Sequence, residues 1–180
     1  MKVAYWPGCV SRGFTTELHG SMALVADRIG IELVTLDRAN CCGAGVIAEH
    51  NQELADTLNA RTFAQAERMG LDVMTICGTC QGVMSAANRR LKNEPATLER
   101  VNKILAQDGI TYGGGVQVKH LLWIAVQDLG LTRVTISSGY SRRNVRGTRR
   151  PSKHSYGLAV DVSALAGVEV GALRIARDFE

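Results

Sequence analysis

The chain has no long apolar run. Residues 121–126 form one of the longest, and nothing approaches the roughly 20 apolar residues needed to span a bilayer. The opening Met1-Lys2-Val3-Ala4-Tyr5-Trp6-Pro7 carries no extended apolar segment, which argues against a signal peptide and sets a cytoplasmic location as the expectation. There is no internal repeat. Apolar residues make up 46% and charged residues 21% of 180. That balance excludes a disordered chain, a collagen and a coiled-coil rod, and the length allows about one domain.

Acidic side chains are missing from one stretch. Residues 1–130 carry 12 Lys and Arg against 13 Asp and Glu, whereas residues 131–180 carry 9 against 4. The net charge of +4 therefore comes from the tail. Between Arg133 and Lys153 there are seven basic side chains and no acidic one. Such a segment is a solvated surface loop or a site for phosphate or nucleic acid. Its single aromatic residue, Tyr140, makes a poor stacking platform for single strands, so nucleic acid is not the expected partner.

Strands and helices alternate along the first 130 residues. Val3-Ala4-Tyr5-Trp6 reads as a short buried strand running into the turn Pro7-Gly8-Cys9. Thr15 or Thr16 caps a helix whose apolar positions, Leu18, Met22, Val25, Ala26 and Ile29, have helical spacing, and Gly30 ends it. A second strand covers 31–36, a loop 37–45, a long helix 49–69 and a third strand 72–76. Helices are expected over 79–91 and 95–107, with Pro95 in the first turn of the latter. Gly113-Gly114-Gly115 reads as a flexible turn, 116–118 as a fourth strand and 119–128 as a helix. Beyond Gly130, 132–137 is strand-like, 138–152 is an arginine-rich loop, 158–162 is apolar and 168–179 is weakly helical. This alternation predicts an α/β fold, a parallel sheet with flanking helices and right-handed crossovers. The expected division is a cysteine-rich domain over 1–130 and a basic segment over 131–180.

The five cysteines are an odd number, and a cytoplasmic chain of this size does not depend on disulfide staples. Their spacing is C-x31-C-C-x34-C-x-x-C. Cys9 follows the first predicted strand, Cys41 and Cys42 the second, and Cys77 the third. Ligands of open parallel sheets sit outside the carboxyl ends of the strands, so all five sulfurs are expected at one rim. Gly8, Gly43 and Gly78 flank them and allow backbone to approach a bulky cofactor. Thiolates select zinc, copper(I) or iron–sulfur clusters. Five exceed what one tetrahedral zinc takes, whereas a cluster of several irons uses five when one thiolate bridges. A dithiol redox pair at Cys77 and Cys80, inert buried cysteines, or zinc are the alternatives. His120 reads as a hydrogen-bonded histidine near the rim, and His19 and His50 as surface residues.

The motifs Tyr5-Trp6-Pro7-Gly8-Cys9, Gly30-Ile31-Glu32-Leu33, Asn40-Cys41-Cys42-Gly43-Ala44, Cys77-Gly78-Thr79-Cys80 and Val118-Lys119-His120-Leu121-Leu122 together resemble the CCG, or cysteine-rich-domain, family. This family includes the B-type component of heterodisulfide reductase and relatives in lactate and glycolate oxidation, and the resemblance covers about residues 1–130. It implies a non-cubane [4Fe-4S] cluster held by Cys9, Cys41, Cys42, Cys77 and Cys80. It implies electron transfer or reductive disulfide cleavage together with a partner redox subunit, an iron–sulfur or flavin protein. The family's B-type component has two such motifs and this chain has one, which implies a partner subunit or a truncated or fused form.

A second resemblance lies in the tail. Ser137-Ser138-Gly139-Tyr140, Arg142-Arg143-Asn144-Val145-Arg146-Gly147 and Ser152-Lys153-His154-Ser155-Tyr156-Gly157-Leu158-Ala159-Val160-Asp161 are similar to the extensin-like domain and zinc D-Ala-D-Ala peptidases. By that resemblance His154 and Asp161 are zinc ligands of a hydrolase. No histidine follows His154 to complete the set, and Glu169 or Asp178 are the remaining oxygen donors. The expectation is an incomplete element rather than a working peptidase.

Overall fold

The computed structural model describes residues 1–131 except residue 15, and the strand segments 134–138, 161–165 and 168–169. The elements run β1 (Lys2–Trp6), α1 (Cys9–Gly13), α2 (Thr16–Arg28), β2 (Glu32–Thr35), α3 (Val46–His50), α4 (Gln52–Arg68), β3 (Val73–Thr75), α5 (Gly78–Asn93), α6 (Pro95–Leu105), β4 (Val118–His120) and α7 (Leu121–Trp123). A 3-10 turn over Ala106–Asp108 follows α6, and a π-helical turn over Ile124–Asp128 continues α7. The strands β5 (Val134–Ser138), β6 (Asp161–Leu165) and β7 (Val168–Glu169) complete the described segments.

β1 to β4 form one parallel sheet in the order β2-β1-β3-β4. β1 is central because its residues 3–6 are apolar and buried on both faces, the pattern of a strand covered on each side by helices. Alternation then sorts its side chains. Val3 and Tyr5, with Met74 of β3, pack against Met22, Val25 and Ala26 of α2 and against Ile124. Ala4 and Trp6, with Val73, pack against Phe63 of α4, Met84 and Leu91 of α5, and Val101 and Leu105 of α6. The fold is therefore α/β, with helices on both faces of a parallel sheet. β5, β6 and β7 make a separate antiparallel sheet in that order.

Several boundaries differ from the sequence expectation, each for a local reason. The helix expected over 49–69 is two helices. Asn51 sits between them in extended backbone (φ −149°, ψ 91°), and its side chain accepts from the Leu54 N–H at 2.9 Å as the N-cap of α4. The short helix α1 was not anticipated. The fourth strand begins at Val118 rather than 116, because the Val116 carbonyl is taken by Asn88 Nδ2 (2.8 Å) and Lys92 Nζ (2.7 Å) of α5. The helix after it starts at Leu121, capped by His120. The triple-glycine turn is held, not free: the Glu67 carboxylate accepts from the N–H groups of Gly113 (2.7 Å) and Gly115 (2.6 Å). Val168–Glu169 lies in a strand paired with β6 instead of opening a helix. Among the described residues, no helix is long and apolar enough to cross a membrane.

An ion pair with a buried carboxylate ties α4 to α5. Asp56, 2% exposed, accepts from Arg90 Nη2 at 2.6 Å and Nε at 3.1 Å, and from Gln52 Nε2 at 3.1 Å. Removing one member of such a pair leaves the other uncompensated. Arg90→Ala, which leaves the buried Asp56 carboxylate without its cation, should lower the unfolding free energy by about 3 kcal/mol, read by chemical denaturation. A loss below about 1 kcal/mol would place the pair with ordinary surface bridges.

Candidate metal and redox centre at the carboxyl rim of the sheet

Three strand ends deliver the five thiols. β1 leads through Pro7 and Gly8 to Cys9, the first residue of α1. Gly8 has φ +90°, and a Cβ there would stand 3.3 Å from the Trp6 ring and 4.0 Å from the Cys80 sulfur. That close approach and that dihedral both favour glycine. β2 leads into the loop carrying Cys41 and Cys42, which turns at Gly43 (φ +78°). β3 leads to Cys77, the N-cap of α5, with Cys80 in the helix's first turn. Gly78 needs no such explanation, since open space surrounds the position of its missing Cβ.

The Cys41–Cys42 loop is fixed by α4. Asn59, 1% exposed, donates through Nδ2 to the Cys42 carbonyl (2.9 Å) and to Ala55 O (2.7 Å). The backbone N–H of Asn40 donates to Thr62 Oγ1 at 3.2 Å, and Arg61 Nη1 donates to Asn40 Oδ1 at 3.0 Å. From the other side, Trp6 Nε1 donates to the Asn40 carbonyl at 3.1 Å. Asn59, Thr62 and Arg61 were not expected at the site, because polar residues in a helix read as solvent-facing. The buried polar positions among them are visible only once the loop is docked.

The sulfurs form a series in which each perturbs the ionisation of the next: Cys9 with Cys41, Cys41 with Cys42, Cys42 with Cys80, and Cys80 with Cys77. Cys9 and Cys41 are exposed, Cys77 is half-buried, and Cys42 and Cys80 are buried. Cys80 is buried beside both Cys42 and Cys77, and its single proton can be given to either; its own pKa is driven up while theirs fall. Cys77 drops to about 5, held first by the Cys80 thiol and then, against burial, by the N–H groups of Cys80 and Thr79 at the start of α5. Cys42 drops to about 6 by the same donor, helped by the Ala44 N–H. Partial desolvation raises the Cys41 pKa, against an N–H from Gly43 at 3.4 Å.

His120 ends β4 beside this group. Its Nδ1 accepts from the Leu122 N–H at 3.2 Å, and the ring also bonds the Ile76 backbone, next to Cys77. Burial pushes its pKa down, so the ring is neutral at pH ~7. His19 is not the free surface residue expected: it is half-buried, stacks on Tyr5 with ring centroids 5.6 Å apart, and lies 3.3 Å from the Tyr5 hydroxyl. His50 is exposed. His154 and Asp178 lie outside the described residues. Asp161 opens β6 and Glu169 closes β7, and only their backbone is described. Among the described residues, no three His, Cys, Asp or Glu side chains form a set that could hold a single metal ion.

The β2-β1-β3-β4 order reverses direction at β1 and β3, and open α/β sheets bind ligands at that switch point. Residues 3–85 match the model of the cysteine-rich domain family CCG, a span that contains all five thiols. Over that span the chain is similar to the CCG cysteine-rich domain.

Proteins similar to this chain include the B-type component of the ferredoxin/F(420)H(2)-dependent CoB-CoM heterodisulfide reductase of Methanosarcina acetivorans, 29% identical over 72% of this chain and 43% of that one. The 8-methylmenaquinol:fumarate reductase membrane anchor subunit of Wolinella succinogenes is 34% identical over 70% of this chain and 44% of its own length. A protein of Archaeoglobus profundus, named as similar to the B-type component of heterodisulfide reductase, is 28% identical over 86% and 52%. The chain thus spans about half the length of the curated relatives it matches. A crystal structure of a hypothetical protein from Helicobacter pylori shares the fold, with a TM-score of 0.64 and 17% identity over 77% of this chain and 27% of that one.

The thiolate assignment is open to direct measurement. With the thiols reduced and no metal added, the ultraviolet absorbance of thiolate should already be present near pH ~7. It should fall as pH drops through about 6 and then about 5, where Cys42 and Cys77 take up protons. Absorbance appearing only near the ordinary cysteine value of about 8.5 would refute it.

Proposed function

We propose that this chain is an iron–sulfur redox subunit of the heterodisulfide reductase B type, with Cys9, Cys41, Cys42, Cys77 and Cys80 as ligands of a non-cubane [4Fe-4S] cluster. The observation that carries the reading is the series of five thiols at the switch point of the sheet. The donor chemistry fits. Thiolates are the ligands of iron–sulfur clusters, and N–H groups directed at sulfur tune them. Here N–H groups of Gly43 and Cys80 already reach the sulfurs of Cys41 and Cys77. Neighbouring thiols supplied by three loops suit a centre of several metals, whereas a lone zinc asks for one compact tetrahedral set.

When bound, such a cluster accepts and releases single electrons. The five thiols would hold it; of the groups at the rim, Trp6, Cys42 and Cys80 are buried from water and Cys9 and Cys41 are exposed. The reaction class is reduction of a disulfide to two thiols, which consumes two electrons and two protons, or the passage of electrons to and from a redox partner. In either case a reduced iron–sulfur or flavin protein is the electron source, in keeping with relatives named as reductase subunits. The domain boundary falls near residue 130. The parallel sheet and its helices take up the chain through Asp128, and the antiparallel sheet begins at Val134.

Anaerobic reconstitution with iron and sulfide should give brown protein with about four irons per chain, counted by metal analysis. Cys41→Ser or Cys42→Ser should lose or strongly change the colour and the paramagnetic signal. Protein that stays colourless, with unchanged thermal stability after reconstitution, would end the reading. A chain cut after residue 130 should load the same iron, and failure to do so would move the boundary into the tail.

A further inference from the structure

Among the described residues, two tyrosines are fully buried, and their hydroxyls meet unlike partners. Tyr5 of β1 is 1% exposed and Tyr112 is 0% exposed. The Tyr112 hydroxyl donates to Asn88 Oδ1 at 2.6 Å, and Asn88, itself buried, donates through Nδ2 to the Val116 carbonyl. The Tyr5 hydroxyl lies 3.3 Å from His19 Nδ1. The rings of Tyr5 and His19 are stacked, with centroids 5.6 Å apart and planes 11° from parallel. His19 holds this place because it stands three positions before Met22 and seven before Ala26, on the face of α2 that packs against Tyr5. It is half-buried, so the imidazole keeps contact with water.

The difference between the two partners decides what happens when an electron is lost. A phenol that gave up an electron and kept its proton would be an unpaired cation in the core, which is costly. Electron and proton therefore have to leave together. An imidazole nitrogen takes up a proton, whereas the amide oxygen of Asn88 only accepts a hydrogen bond. Loss of the proton ahead of the electron is closed to Tyr5, because burial drives the phenol pKa up. Of the two buried phenols, Tyr5 is the one with a base at hand, and the positive charge it releases ends on a ring in contact with water. Tyr5 is also the chain neighbour of Trp6, whose ring stands beside the thiols: a Cβ at Gly8 would lie 3.3 Å from that ring and 4.0 Å from the Cys80 sulfur.

We infer that Tyr5 and His19 form a one-electron oxidation site, which takes up an oxidising equivalent that would otherwise fall on the thiol rim. A one-electron oxidant, such as a peroxide-derived radical, gains an electron from Tyr5. The Tyr5 O–H bond breaks and its proton forms an N–H bond at His19 Nδ1, the ring proton of neutral His19 being on Nε2. A neutral tyrosyl radical is left beside an imidazolium. A one-electron reductant such as ascorbate returns the electron, and His19 returns the proton. The site uses no group bound at the rim, so it stands apart from the cluster proposal.

The test uses the full metal-free chain with its thiols reduced. The chain has four tyrosines, and Tyr140→Phe and Tyr156→Phe are built into every sample so that Tyr5 and Tyr112 are compared alone. Photogenerated ruthenium(III) tris-bipyridine is the oxidant, and samples are frozen for electron paramagnetic resonance. A tyrosyl signal should form that Tyr112→Phe leaves in place and Tyr5→Phe removes. His19→Gln keeps a polar partner but offers no base, so it should slow formation of the radical by about a hundredfold, the lower end of what a positioned base contributes. Tyr5→Phe and His19→Gln should also lose titratable thiol faster than the parent under the same oxidant. Circular dichroism checks that each variant is folded, and His19→Gln, a change at a half-buried helix position, decides the matter where Tyr5→Phe does not fold. A tyrosyl signal that survives Tyr5→Phe, a rate of formation indifferent to His19→Gln, or equal thiol loss in parent and variants would overturn the inference.

Discussion

Parallel pairing of β1 with both β2 and β3 is the constraint from which the site follows. In a parallel sheet every strand ends on the same edge, so the loops after β1, β2 and β3 have no choice of side. The registers Tyr5 with Thr35 and Trp6 with Thr75 align those ends to within a residue or two. Thiols spread over 72 positions of sequence thereby become neighbours. The pairing is secured by the burial of β1 on both faces, because a one-residue slip would exchange the two sets of side chains between unlike cores.

Pairing alone brings loops together but does not hold them still. The stiffness comes from polar groups on α4, a helix whose inward face is not wholly apolar. Asp56, Asn59 and Thr62 lie three positions apart and are all buried. Asn59 and Thr62 secure the loop of Cys41 and Cys42, while Asp56 binds α5, the helix that starts at Cys77. One helix face therefore fixes both halves of the thiol series relative to each other. Each of these groups would be costly if left unpaired, so the loop geometry is tied to the stability of the core.

Much of this was legible in the sequence, and the reasons are specific. β1 is a continuous apolar run and the helices carry apolar residues at helical spacing, so the α/β alternation could be read directly. The convergence of the cysteines followed from topology, since each follows a strand. The boundaries that shifted did so where a tertiary partner decides. Asn51 divides one helix into two by bonding the Leu54 N–H, and Asn88 and Lys92 remove Val116 from the ladder. The asparagine was visible as a capping residue and was outweighed by the apolar period on either side. Asn40 stands in the motif with Cys41 and Cys42, but its part in fixing that loop, through Thr62, Arg61 and Trp6, depends on contacts that the sequence alone does not show.

The protonation of the five thiols has a direction that no single residue sets. Cys80 keeps its proton because it is buried between Cys42 and Cys77, and that one proton favours the ionised form of whichever neighbour accepts it. Cys41, although exposed, resists ionisation through partial desolvation of its sulfur, reinforced by like charge on its neighbours. Without a cation, the crowded rim therefore settles with some thiols charged and others neutral. Full deprotonation needs positive charge placed among the sulfurs, which is what coordinated iron supplies under the proposed function. The same crowding gives the rim two sides. Cys42 and Cys80 are buried and Cys77 is half-buried, with N–H donors around them, whereas Cys9 and Cys41 are exposed.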